Sequence, residues 1–168
     1  MPTILKDVYH LKDSVSVLLS IILPVFGIFS ATVSLLIRKK ISNFVLAAGT
    51  LFVITAVLVT GSLFVLDISI CIPLLLLFCL ILVSTGAINN IITSVAPLFM
   101  REKVNSGLVA GLLNGFCYVG STISAYGLGG LADSFGWNAV FYLFIGICAF
   151  SACVALVYSV LTRKKKVL

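Results

Sequence analysis

Asparagine, tyrosine and serine side chains recur at helical spacing in an otherwise apolar part of the sequence. Asn114, Tyr118 and Ser121 are four and three residues apart, which places them on one face of a helix. Their amide and hydroxyl groups donate and accept hydrogen bonds without carrying charge. We therefore expect this stripe to face protein or water, because exposing it to lipid would cost free energy.

A second polar set lies in the preceding apolar segment, where Gly86, Pro97 and two neighbouring asparagines occur. One interpretation is that these amides only form hydrogen bonds between helices, each contributing about 1 kcal/mol. The other is that stripes on two consecutive helices line a cavity for a substrate. The predicted substrate path comprises Asn89, Asn90, Thr93, Asn114, Tyr118 and Ser121.

Glycine recurs every fourth residue at the start of the segment that carries the second stripe. Gly107, Gly111 and Gly115 form a row, and Gly120 continues the small residues beyond it. Without side chains, such a row lets the backbone of another helix approach closely. We expect these four glycines to be helix-packing positions.

Signatures of catalysis and of metal binding are missing from the sequence. There is no GxSxG, Walker or HExxH motif, and His10 is the only histidine. The protein is therefore predicted not to be an enzyme, and no cofactor or metal is expected. The cysteines show no CxxC spacing and are interpreted as small buried packing residues: Cys71, Cys79, Cys117, Cys148 and Cys153.

Composition places these stripes in a membrane protein. Hydrophobic residues make up 61% of the 168, the mean hydropathy is +1.28, and charged residues make up 10%, against about 25% in a typical soluble domain. A helix needs about 20 apolar residues to cross a bilayer. The sequence predicts an all-α, polytopic bundle of five transmembrane helices: Ser14 to Ile37, Phe44 to Leu66, Ile70 to Met100, Val104 to Leu131 and Trp137 to Leu161.

Two prolines are predicted to bend these spans. Pro24 removes a hydrogen bond in the middle of the first span and should kink it between Leu23 and Gly27. Pro97 stands near the end of the third span and should bend its last turns. No Asp, Glu, Lys, Arg or His lies inside a predicted span, so the chain alone has no proton carrier in the membrane.

Positive charge is grouped in three clusters that recur after every second span: Arg38 to Lys40, Arg101 with Lys103, and Arg163 to Lys166. Such loops stay in the cytoplasm. Topology and anionic headgroups of the lipid bilayer explain the net charge of +6, so no nucleic-acid partner is expected. The loops at Asp67 and Asp133 and the amino terminus are then outside, and the carboxyl terminus is inside.

The domain organisation follows from this topology. Residues 1–13 form an external segment, residues 14–161 form the bundle, and residues 162–168 form a basic cytoplasmic tail. The beginning of the chain has no export signal that would bring it outside. We therefore expect the chain to be the carboxyl-terminal piece of a larger protein, after an upstream helix.

Three stretches of sequence resemble the organophosphate:phosphate antiporter branch of the major facilitator superfamily. Pro2 to His10 resembles the external segment after its seventh helix, and Gly111 to Gly120 resembles its eleventh helix. The Asp133-Ser-Phe-Gly-Trp137 turn, followed by Phe141, resembles the approach to its twelfth helix. The resemblance covers essentially the whole chain, which would hold helices eight to twelve.

This resemblance implies a function. Family members hold their substrate between two six-helix halves and expose it alternately to each side, and Tyr118 matches an aromatic position that faces the cavity. Two features depart from the family. Residues 34–37 lack the Asp that usually precedes the basic loop at Arg38, and the family's phosphate-binding basic residues lie on helices absent from this chain.

The chain is therefore hypothesised to be part of a secondary active transporter. It would move a small solute, such as an organophosphate or another anionic metabolite, in a bacterial inner membrane. Its partners would be the missing amino-terminal helices or a separately encoded half. The alternative is a truncated, non-transporting membrane fragment or an assembly subunit.

Overall fold

Long apolar segments form helices because a backbone in lipid must satisfy its own hydrogen bonds. The computed structural model describes residues 2–66, 71–102 and 104–165, and within these ranges it contains helices and no strand. The helices are α1 (Pro2–Tyr9), α2 (Asp13–Ser20), α3 (Ile22–Gly27), α4 (Phe29–Lys40), α5 (Phe44–Leu66), α6 (Cys71–Asn90), a π-helix (Ile91–Val95), α7 (Ala96–Met100), α8 (Ser106–Phe135) and α9 (Trp137–Lys165).

The predicted all-α membrane bundle is confirmed. Among the described residues, five helical stretches are long and apolar enough to cross a membrane: Asp13–Lys40, Phe44–Leu66, Cys71–Met100, Ser106–Phe135 and Trp137–Thr162. The expected start of the third span, Ile70, and the loop residue Asp67 lie outside the described residues. The chain is an integral membrane protein.

Helix α5 lies at the centre of the bundle and packs most extensively against α9 and α6. Small residues permit this closeness, since a Cβ added at Gly49 of α5 would lie 3.0 Å from Cβ of Ala155 in α9. Helix α4 also packs against α6, and its Val33 and Ile37 contact the core that α5 and α6 form. The core between these helices consists of Ala47, Ala48, Leu51, Ala87, Ile88 and Ile91.

A short helix, α1, precedes the first span and covers one end of the bundle. In α1, Ile4 and Leu5 are 1% and 0% exposed, and Ile4 packs with Leu66, Leu74 and Phe141. The Tyr9 hydroxyl donates to the Val65 carbonyl over 3.3 Å. Burial, with a smaller effect of Cys71, raises the pKa of Tyr9, so its phenol stays a neutral donor.

Hydrogen bonding in the first span is interrupted on both sides of Pro24. Pro24 lies within α3, and single residues, Ile21 and Ile28, separate α3 from α2 and α4. The amides of these two residues bond three positions back, to Leu18 and Val25, over 3.2 and 3.3 Å. Their backbone angles remain helical. The span is therefore loosened at Ile21 and Ile28, just outside the segment where the kink was predicted.

A π-helix precedes Pro97 in the third span. The Ala96 amide bonds to the Ile91 carbonyl, five residues back, and α7 follows with Pro97 in its first turn. Proline has no amide to donate and its ring crowds the preceding turn. One wide turn accommodates both effects without ending the span.

One end of the bundle, the basic end, is where the ends of α4, α7 and α9 meet the start of α5. The Arg38 guanidinium lies 5.0 Å from the ring centre of Phe99, and Phe99 lies 5.4 Å from Phe44, between ring centres. Arg101 follows α7 at the same end. Two members of the basic clusters, Lys103 and Lys166, lie outside the described residues.

Candidate functional site

The polar stripe on α8 is uncovered by the rest of the chain. Asn114, Tyr118 and Ser121 are all exposed, and Tyr118 is 74% exposed. Within the described ranges, the side chains of Asn114 and Tyr118 have no hydrogen-bonding partner. Their donors and acceptors are thus available to a ligand, to water or to another helix.

The polar set at the end of α6 is only partly available. Asn89 is exposed, whereas Asn90 and Thr93 are half-buried. The Thr93 hydroxyl donates to the Asn89 carbonyl over 2.8 Å, so its proton is used within the helix. Asn90 lies about 100° around the helix from Asn89. Asn89 is therefore the best placed of the three to contact a solute.

One hydrogen bond joins the two polar sets. The Cys117 thiol of α8 donates to Oδ1 of Asn89 over 3.6 Å. Cys117 lies three residues after Asn114 and four before Ser121, so it belongs to the same stripe. Sequence reasoning missed this residue, although its spacing was a visible signal. The contact brings Asn89 beside the α8 stripe.

The interpretation of all five cysteines as buried packing residues was wrong for two of them. Cys79 and Cys148 are buried and Cys71 is half-buried, but Cys117 and Cys153 are exposed. Cys117 is exposed because it lies on α8, which contributes no buried residue to the bundle. A small apolar residue is buried only where a neighbouring helix covers its face.

The glycine row on α8 faces open space. A Cβ added at Gly111, Gly115 or Gly120 would meet no atom within 4 Å, and one at Gly107 would meet only Oδ1 of Asn105, at 3.3 Å. Within the described part of the chain no helix packs on this row. The prediction that another helix packs there stays a prediction about a partner.

Close helix contact in this chain occurs at other glycines. A Cβ added at Gly86 of α6 would lie 2.7 Å from Cβ and 3.0 Å from Oγ of Ser30 in α4. These distances leave no room for a side chain. Gly86 was grouped with the polar set in the sequence, but its structural role is to let α4 approach α6.

Two cavities lie among the described residues, and neither includes the predicted substrate path. One of about 820 Å³ lies at the basic end, and one of about 360 Å³ lies at the opposite end beside Trp137 and Phe141. None of the six predicted path residues lines either of them. The polar face around Asn89 and Cys117 is an open surface in this chain.

Chemistry at this surface is limited to uncharged hydrogen bonding. Over the ranges that the structure describes, no three His, Cys, Asp or Glu side chains are grouped as metal ligands. His10 is exposed at the turn after α1, with a φ of 50°. The arrangement can bind and orient a polar group.

Comparison with family models, curated proteins and solved structures finds no match to this chain. The resemblance to the major facilitator superfamily therefore rests on the three sequence stretches alone.

Proposed function

We propose that this membrane protein forms one wall of a solute path in a secondary active transporter that works by alternating access. The hydrogen bond between Cys117 and Asn89 carries the proposal, because it places the uncovered polar groups of two helices side by side. Amides and phenols exposed to hydrocarbon are costly. A water-filled path between this face and further helices removes that cost.

The residues of the wall have separate roles in this proposal. Asn89 and Asn114 offer amide donors and carbonyl acceptors to a polar solute. Tyr118 offers a flat apolar ring with a hydroxyl at its tip. Charges that couple transport to an ion gradient, or that bind an anionic substrate, would come from helices beyond this chain. The second wall would belong to a half that rocks against this one.

The sequence resemblance supports a finer version of this proposal. The chain would correspond to helices eight to twelve of a major-facilitator antiporter for an organophosphate or another small anionic metabolite. It would lie in a bacterial inner membrane with its amino terminus outside. The grouping of Arg38 and Arg101 at one end of the bundle supports placing that end in the cytoplasm.

Transport by the protein extracted from its native membrane tests the proposal. The sample, with any partner that co-purifies, is reconstituted into liposomes loaded with phosphate, and uptake of labelled glycerol phosphate is measured. Asn89→Ala and Asn114→Ala should each lower uptake about tenfold, the loss expected for removing one contact to a polar ligand. Thr60→Ala is the control, because that hydroxyl donates to the Ala56 carbonyl within its own helix.

A non-transporting assembly subunit or fragment is the second candidate. The observation that favours it is that none of the residues of α8 is buried by this chain, although the glycine row suits close packing. In that case α8 would dock on another membrane protein. A stable complex with a partner, no uptake of any phosphate compound, and no effect of Asn89→Ala on complex function would favour this candidate over transport.

A further inference from the structure

The larger cavity opens at the basic end, where α4, α5, α7 and α9 meet. Its volume is about 820 Å³, within the range of roughly 300 to 1,000 Å³ that ligand sites occupy. Its lining includes apolar side chains, among them Phe99 and Leu156, as well as polar ones. The polar members of its lining are Lys40, Ser42, Asn43, Tyr158, Ser159 and Thr162.

One hydroxyl in the cleft has an unused donor. Ser159 is only 7% exposed, and its Oγ accepts a hydrogen bond from Nδ2 of Asn43 over 3.5 Å. In the described part of the chain, Ser159 donates to no acceptor, whereas Thr162 donates to the Tyr158 carbonyl over 2.9 Å. A buried hydroxyl that accepts without donating suits a ligand that supplies an oxygen acceptor.

The charge around the cleft selects an anion. The exposed side chain of Lys40, the last residue of α4, lines it. Among the described lining residues none is acidic. A lysine and a hydroxyl with a free donor that line one cleft can both bind phosphate oxygens.

We propose that this cleft is a binding site for one anionic phospholipid. Lys40 pairs with the headgroup phosphate, Ser159 donates to a phosphate oxygen, and the start of an acyl chain lies against Phe99 and Leu156. The cleft lies at the ends of membrane-spanning helices and part of its lining is apolar, which a lipid covers and a soluble phosphate leaves exposed. This site is separate from the polar face at Asn89.

Native mass spectrometry of the whole protein in detergent tests the proposal. The protein is titrated separately with phosphatidylglycerol, phosphatidylcholine and inorganic phosphate. Phosphatidylglycerol should bind with a stoichiometry of one and more tightly than phosphatidylcholine. Lys40→Gln should weaken its binding about fivefold, whereas Lys39→Gln, the same change at an adjacent residue outside the cleft, should have little effect.

Ser159→Ala provides a second variant, and its thermal unfolding establishes that it is folded. It should weaken phosphatidylglycerol binding about tenfold or more, as expected for one hydrogen bond to a charged group. Three results would overturn the site: equal losses for Lys39→Gln and Lys40→Gln, equal affinity for phosphatidylcholine, or unchanged binding by both Lys40→Gln and folded Ser159→Ala. Inorganic phosphate binding as tightly as phosphatidylglycerol would show that the ligand is not a lipid.

Discussion

The indole Nε1 of Trp137 donates a hydrogen bond to Oδ2 of Asp7 over 3.1 Å. These residues are 130 positions apart, and their contact fastens α1 to the first turn of α9. The acceptor is a carboxylate, which makes the bond stronger than one between neutral groups. Together with burial of Ile4 and Leu5, it holds α1 against the bundle.

Removing the Asp7 carboxylate should loosen this end of the bundle. Asp7→Ala deletes the acceptor for the only tryptophan of the chain, so the fluorescence emission of Trp137 should shift to the red as water reaches the indole. Lys6→Gln is the matched control on the same helix. Lys6 pairs with Asp13 over 3.0 Å, but both side chains are largely exposed, and such pairs contribute little. Identical spectra for both variants would contradict the contact.

Filling the contact at Gly86 should destabilise the bundle. In Gly86→Ala the new Cβ would lie 2.7 Å from Cβ of Ser30, and overpacking of this kind costs about 1–3 kcal/mol. The midpoint of thermal unfolding in detergent should fall. Gly111→Ala is the control, because a Cβ there meets no atom within 4 Å. Adding Ser30→Gly to Gly86→Ala should restore much of the loss, and no rescue would mean that the clash lies elsewhere.

A buried hydroxyl pair should couple α5 to α6. Oγ1 of Thr55 and Oγ of Ser84 lie 2.8 Å apart, and Ser84 also donates to the Leu51 carbonyl over 3.4 Å. Unfolding of Thr55→Val, Ser84→Ala and the double variant forms a double-mutant cycle. The expected coupling is about 0.6–1 kcal/mol, the range for hydrogen bonds between membrane helices. Additive effects of the two changes would exclude a direct interaction.

Thiol labelling should tell whether the α8 stripe meets water. Two variants that each retain one exposed cysteine, Cys117 or Cys153, are treated in membranes with a charged, impermeant maleimide. Only a thiolate reacts, and thiolates form in water. Cys117 should label about tenfold faster than Cys153, which lies on α9 beside the exposed apolar residues Phe150 and Val154. Equally slow labelling at both positions would count against a solute path.

Hydropathy and length predicted the five spans because both depend on composition alone. The second span has the predicted bounds, Phe44–Leu66, and the fifth begins at Trp137 as expected. Which helix packs against which could not be predicted in the same way. Lipid is as apolar as the side chains of another helix, so the sequence does not distinguish the packed Gly86 from the uncovered Gly111. That difference depends on which helices meet.

The same argument applies to the candidate site. Spacing placed Asn114, Tyr118 and Ser121 on one face, and all three are exposed on α8. It also grouped Asn89, Asn90 and Thr93, of which only Asn89 reaches the α8 stripe, through Cys117. The Thr93 hydroxyl donates to the Asn89 carbonyl within its own helix. Residue spacing alone does not reveal such bonds, so it overestimates the number of donors available to a ligand.

The wide turn at Ile91–Val95 sets the direction in which the side chains of α7 point. A π-helix absorbs one residue more than an α-helix would over the same stretch, so the turn keeps Phe99 beside Arg38 and Phe44. Rewinding this segment as an α-helix would turn Phe99 by about 100° and separate it from both. The third span therefore contains one residue more than a continuous α-helix would need to place Phe99 where it lies. Deleting one residue within Ile91–Val95 would remove the wide turn and leave the aromatic contacts at the basic end in place.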